Sequence, residues 1–133
     1  MGEDQTGRGR GAILVIDDDP QMRGALARIL ESEGHEVMQA EDGPSALAAT
    51  RAHRPDLLLL DYMMPGMDGE AVLRAMRAEL ADATPPALLI TASGQHTRAR
   101  EMGAVMGLEK PFNVPELLAV VESYLRDLRG RSS

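Results

Sequence analysis

The chain has 133 residues, 44% of them hydrophobic and only 2% aromatic, with a formal net charge of -7. That length suits a single domain whose core is built from Leu, Ile, Val, Ala and Met, and it is too short for two. The lack of cysteine excludes disulfides, thiolate zinc sites and cysteine nucleophiles, and the acidic balance argues against non-specific nucleic-acid binding by the domain as a whole. No apolar run approaches a membrane span and no signal-peptide stretch opens the chain, so a cytoplasmic location is expected.

Met1 to Gly11 is rich in Gly and Arg and reads as a disordered tail (residues 1–11). Ala12 to Ile16 is a short, unbroken apolar run, as expected for a strand of a parallel sheet buried on both faces, and it ends in Asp17-Asp18-Asp19. A helix is predicted from Pro20 to Glu33. Asp19 serves as its cap, Pro20 occupies its first turn, Met22, Leu26, Ile29 and Leu30 share one face, and Gly34 stops it. His35 to Ala40 is a weaker strand, nearer an edge, and Gly43 to His53 is a second helix entered through Asp42. Asp56 to Leu60 is the central strand and runs into Asp61. Pro65 to Gly69 is a loop whose Pro65, Gly66 and Gly69 serve geometry rather than chemistry. Glu70 to Leu80 is a third helix with Val72, Leu73 and Met76 inward. Ala87 to Ile90 is a fourth strand ending in Thr91. A short helix from Gln95 to Met102 follows, then a strand from Val105 to Leu108 that leads to Glu109-Lys110-Pro111. The last helix opens at Asn113 with Glu116 three residues on, a capping-box-like start, and buries Leu117, Leu118, Val121 and Leu125.

The order βαβαβαβαβα with right-handed crossovers makes a doubly wound three-layer α/β sandwich. In such a sheet the carboxyl ends of the strands share one rim, where ligands bind. Asp17, Asp18, Asp61, Thr91 and Lys110 therefore converge: carboxylates, a hydroxyl and an amine, a set suited to a divalent cation and a phosphoryl group. Of the 14 Lys and Arg residues Lys110 is the only lysine, which suggests a role for a compact point charge that a planar guanidinium cannot fill. His35 and His53 read as surface residues, and His96 falls near the rim without ligand spacing to another histidine.

Four segments resemble the receiver domain of two-component response regulators: Val15 to Pro20, Leu60 to Gly69, Leu89 to Ala92, and Glu109 to Phe112. The resemblance covers Ala12 to Leu128. It implies a flavodoxin-like (βα)5 fold with a five-stranded parallel sheet of order 2-1-3-4-5. It further implies that Asp61 accepts a phosphoryl group from a sensor histidine kinase or a histidine phosphotransfer protein. Asp17, Asp18, the Asp61 side chain and the backbone carbonyl of Met63 would hold Mg²⁺. Thr91 and Lys110 would each bind a phosphoryl oxygen, and the Lys110–Pro111 bond would be cis. In phosphoryl transfer a protein mainly positions groups and neutralises oxygens, and an aspartate carboxylate can serve as the nucleophile, so these residue types fit the chemistry.

Two departures from the family pattern fall together. Gly107 stands three residues before the lysine, where most receivers carry Tyr or Phe, and the stretch from Thr91 to Gly103 is about three residues short, close to one helical turn. Switching by order or displacement of Thr91 to Met102, rather than by rotation of an aromatic ring, is the expectation that follows. The overall expectation is a stand-alone, chemotaxis-regulator-like receiver. It would not be an enzyme beyond catalysing its own phosphorylation and dephosphorylation. It would act on a downstream effector protein, without direct nucleic-acid or membrane contact, with possible homodimerisation and only a short tail (residues 129–133) after the domain (residues 12–128). Two alternatives stand beside it. One is a phosphatase resembling the haloacid dehalogenases, with Asp17 as nucleophile in an Asp17-x-Asp19 pair and Lys110 in the lysine role. The other is a receiver-like scaffold that works without phosphorylation.

Overall fold

The computed structural model describes residues 11–92 and 94–132, with side chains described through Asp127. Of the stretch expected to be disordered, Met1 to Gly11, residues 1–10 lie outside the described residues, as does Ser93, while Gly11 is described and bonded to the start of β2 through its carbonyl. The elements are β1 (Ala12–Ile16), α1 (Pro20–Ser32), β2 (Glu36–Ala40), α2 (Gly43–His53), β3 (Leu57–Asp61), α3 (Gly69–Leu80), β4 (Ala87–Thr91), β5 (Met106–Glu109) and α4 (Val114–Ser132). Single 3₁₀ turns occupy Ala81–Ala83 and Gln95–Arg98. All strand pairs are parallel, in the order β2-β1-β3-β4-β5.

Alternation along the strands divides the core in two. Leu14, Ile16, Leu58, Leu60 and Leu89 face one way, onto Ala46 of α2 and Val72, Leu73 and Met76 of α3. Ile13, Val15, Leu57, Leu59, Leu88 and Ile90 face the other way, onto Leu26 and Leu30 of α1 and Leu117, Val121 and Leu125 of α4. The strands read as unbroken apolar runs because both faces are covered. β2 reads weaker because it is an edge strand with only Ala40 fully buried.

The helix starts follow their caps. Asp19 accepts from the Gln21 N–H at 3.0 Å, Asp42 from Ser45 N–H at 2.9 Å, Asp68 from Ala71 N–H at 2.9 Å and Asn113 from Glu116 N–H at 2.7 Å. Each satisfies a backbone donor that the first helical turn leaves open.

Two expectations are corrected. The helix expected at Gln95 to Met102 is a single 3₁₀ turn followed by irregular turns through Gly103, because the connection is too short to close α-helical turns and still return to β5. His35 is not a surface residue: it is 5% exposed, and its Nδ1 accepts from the Gly11 N–H at 3.3 Å where the chain re-enters the sheet. The last helix continues to Ser132. His53 is exposed, as expected.

Candidate functional site

β1, β3, β4 and β5 deliver their last residues to one rim, and backbone bonds beyond the strand ends hold the rim in place. Asp17 N–H donates to Ala40 C=O at 3.1 Å, Tyr62 N–H to Ile90 C=O at 2.9 Å, and Lys110 N–H to Thr91 C=O at 2.9 Å. The loop after Asp61 turns through Pro65 and Gly66 and comes back at once, with Gly69 N–H bonded to Tyr62 C=O at 2.8 Å. The start of α3 is thus fixed against the end of β3.

One carboxylate oxygen from each of Asp17, Asp18 and Asp61 lies within 4.8 Å of the others. It is the one such cluster of potential metal ligands among the described residues. Asp17 and Asp61 are buried and Asp18 is exposed. Lys110 reaches in from beyond β5, its Nζ 3.5 Å from Asp61 Oδ1, and the Lys110–Pro111 bond is cis. Thr91 is fully buried at the end of β4. The five polar residues picked out at the strand ends therefore sit at one edge of the sheet.

Burial is the main force on the acids. It pushes the Asp61 carboxyl from its ordinary 3.8 up to about 6, with the Asp17 charge adding to the rise. The Lys110 charge and a hydrogen bond from the Met63 N–H oppose it. Burial also raises Asp17, against the Asp19 N–H, which donates to its Oδ1 at 2.9 Å, and the charge of Lys110. Two neighbouring carboxylates that ionise with difficulty form a site that lacks positive charge, and one lysine does not supply enough. A hard divalent cation with oxygen ligands fits this donor set.

Asp19 stands apart from the cluster, since its carboxylate is committed to capping α1. The Asp17-x-Asp19 pair therefore does not converge on one point. Met63 contributes its backbone N–H to Asp61, while its side chain, 58% exposed, lines a concavity of about 460 Å³ with Tyr62, Met64, Pro65 and Asp68. His96 does not join the carboxylates. Its Nε2 lies 3.7 Å from Glu109 Oε1 at the edge of the rim. One contributor escaped the sequence reading: Arg23, one turn into α1, donates from Nη1 to the backbone carbonyl of Asp17 at 2.7 Å and from Nε to Gln39 at 3.2 Å. A basic residue one turn past the acidic run was the available signal.

The segment opposite Gly107 is the largest surprise. A Cβ built on Gly107 would lie 2.4 Å from the carbonyl oxygen of His96 and 2.7 Å from its Cα. The main chain of the 3₁₀ turn rests directly on β5, in the space a side chain at position 107 would need. The missing aromatic and the short connection are thus one coupled feature.

The comparisons with known proteins agree on the fold. Residues 13–122 match the family model described as the response regulator receiver domain. The DNA-binding response regulator MtrA of Mycolicibacterium smegmatis is 41% identical over 125 residues, covering 88% of this chain and 51% of its own length. This chain therefore spans about half the length of that relative. Sporulation initiation phosphotransferase F of Bacillus subtilis is 35% identical, over 85% of this chain and 92% of its own. Among solved structures, the receiver domain of NtrX from Brucella abortus superposes with a TM-score of 0.77 at 36% identity, covering 85% of this chain and 97% of that one. Chemotaxis protein CheY4 of Vibrio cholerae gives 0.78 at 30% identity, covering 86% and 98%.

Proposed function

The chain belongs to the response regulator receiver family, and from that premise we propose that it is a phosphorylation-dependent switch whose acceptor is Asp61. The observation that carries the reading is the convergence of three carboxylates within 4.8 Å, with Lys110 Nζ 3.5 Å from one of them. In the proposed step an Asp61 oxygen attacks the phosphorus of a phosphohistidine on a sensor kinase or histidine phosphotransfer protein. The new P–O bond forms as the P–N bond breaks, and the released imidazole nitrogen takes a proton from solvent. Lys110 pairs with one phosphoryl oxygen and the Thr91 hydroxyl donates to another. Asp17, Asp18, Asp61 and the Met63 carbonyl would hold Mg²⁺, whose chemistry there would be to supply positive charge for the phosphoryl oxygens. Asp17 is braced for this by Arg23 on its backbone carbonyl.

Reaction at Asp61 is self-catalysed, and no turnover of ordinary phosphate monoesters is expected. The partners are the phosphodonor protein and a downstream effector protein, met in the cytoplasm. Because the main chain of His96 fills the space beside Gly107, the signal leaves through displacement of the segment from Thr91 to Met102, read at residues 94–102.

Incubation with acetyl phosphate and Mg²⁺ should add one phosphoryl group to the intact mass. The addition should vanish in Asp61→Asn and when Mg²⁺ is removed. Amide spectra of the same phosphorylated sample should shift across residues 94–102. Modification that survives in Asp61→Asn contradicts the assignment, and an unmoved 94–102 segment contradicts the route.

A further inference from the structure

Where α3 packs beside the turns that precede β5, the surface carries a concavity of about 350 Å³ lined by Glu70, Arg74, Arg77, Arg100, Glu101 and Gly103. Met102, buried, lies beneath it. None of these residues belongs to the carboxylate rim.

The arginines are unequally satisfied. Arg74 pairs with Glu70 at 3.3 Å, and Glu101 pairs with Arg98 at 3.2 Å, so both glutamates already have cations. Arg77 donates from Nη2 to the Gly103 carbonyl at 2.8 Å, a neutral acceptor that leaves its charge uncompensated. Gly103 permits this contact. Its φ is +101°, and a Cβ there would lie 2.6 Å from the Arg77 guanidinium, so a side chain at this position would push the arginine away. Arg100 is exposed, and its side chain makes no hydrogen bond or ion pair within the described residues. Four arginines thus stand against two glutamates on a chain whose net charge is -7. Two of them, one held in place by the backbone, have no counter-charge among the described residues.

We propose that this flank docks an acidic, carboxylate-bearing peptide segment of a partner protein. Guanidinium forks take carboxylates in paired hydrogen bonds, and arginine clusters serve acidic-motif recognition in this way. Arg77 and Arg100 come from separate elements and so present two anchor points along an extended segment, not a single nest for one small anion. Glu70 and Glu101 between them, together with the charge of the whole chain, disfavour the continuous phosphate backbone of a nucleic acid.

The test is fluorescence anisotropy on the full, unphosphorylated chain, which keeps the result independent of the Asp61 assignment. The probes are a fluorescein-labelled oligoglutamate peptide, its oligoglutamine counterpart and a labelled single-stranded oligonucleotide. Saturable binding of the glutamate peptide is expected, weakening with added salt. Arg100→Gln removes a side chain with no partner among the described residues, so the fold should survive, as an unchanged melting temperature would verify. It should weaken the peptide about three- to tenfold. Arg51→Gln, which breaks an ion pair with Glu79 elsewhere on the surface, should leave peptide affinity unchanged. Equal binding of the glutamine peptide, preference for the oligonucleotide, no saturable binding, or wild-type affinity in Arg100→Gln would each overturn the proposal.

Discussion

Asp61→Asn is expected to stabilise the metal-free protein at neutral pH by about 1–3 kcal/mol. In the folded state burial raises the Asp61 carboxyl from 3.8 to about 6, so the folded chain holds that proton more tightly than the unfolded chain does. Stability therefore falls as pH rises between those two values, and the full penalty stands at neutral pH. Each tenfold change in proton affinity between the two states is worth about 1.4 kcal/mol, and water entry or side-chain relaxation lowers the total. Asparagine keeps the shape and removes the charge, with relief for Asp17 beside it. Chemical denaturation of both proteins without metal should give the variant the higher midpoint, with the gap closing as pH is lowered toward 4. Mg²⁺ should stabilise wild type more than the variant, since binding to the folded state alone adds to stability. A variant less stable than wild type at neutral pH would mean that the Asp61 charge is already offset locally by its hydrogen bonds and by Lys110. The site would then hold no electrostatic strain for a cation to relieve.

Gly107→Ala is expected to destabilise the fold by about 1–3 kcal/mol. The obstacle is backbone, not the mobile end of a side chain: the added methyl would meet the carbonyl oxygen, Cα and carbonyl carbon of His96 at 2.4, 2.7 and 2.9 Å. Relief requires the 3₁₀ turn to lift from β5 or β5 to shift in its pairing with β4, where Gly107 stands opposite Leu89. Gly24, inside α1, provides the contrast. A Cβ there meets only the Arg28 guanidinium, at 3.6 Å, so Gly24→Ala should stabilise by about 0.5–1 kcal/mol through helix propensity. Thermal melts of the two variants should move in opposite directions. A neutral Gly107→Ala would show that the turn gives way easily and that its contact with β5 transmits nothing.

The parts of this molecule legible in the sequence are those where a local pattern and the tertiary environment agree. Leu57 to Leu60 could only be a strand covered on both faces, and the acids at Asp17, Asp18 and Asp61 could only meet if their strands were parallel neighbours. Asp19, Asp42 and Asn113 announced the starts of their helices because the first-turn donors need an acceptor wherever a helix begins. Less was legible where geometry depends on chain length. Gln95 to Met102 has residues that tolerate a helix, but the short span between β4 and β5 leaves only a 3₁₀ turn. Gly107 looked like a missing aromatic and is instead the point of contact for that turn, a relation between residues that no local pattern contains. His35 followed the usual preference of histidine for the surface until its place at the entry to β2 buried it. Arg23 was hidden for a similar reason, since its partners are a backbone carbonyl in the loop after β1 and Gln39 on β2.

The most direct measurement is the position of the phosphoryl group. Borohydride reduction of the protein phosphorylated by acetyl phosphate and Mg²⁺ converts an aspartyl phosphate to homoserine, which peptide mass spectrometry then locates. Homoserine is expected at position 61, with unaltered aspartate at 17 and 18. Homoserine at position 17, or a phosphorylated protein that leaves Asp61 intact, would contradict it.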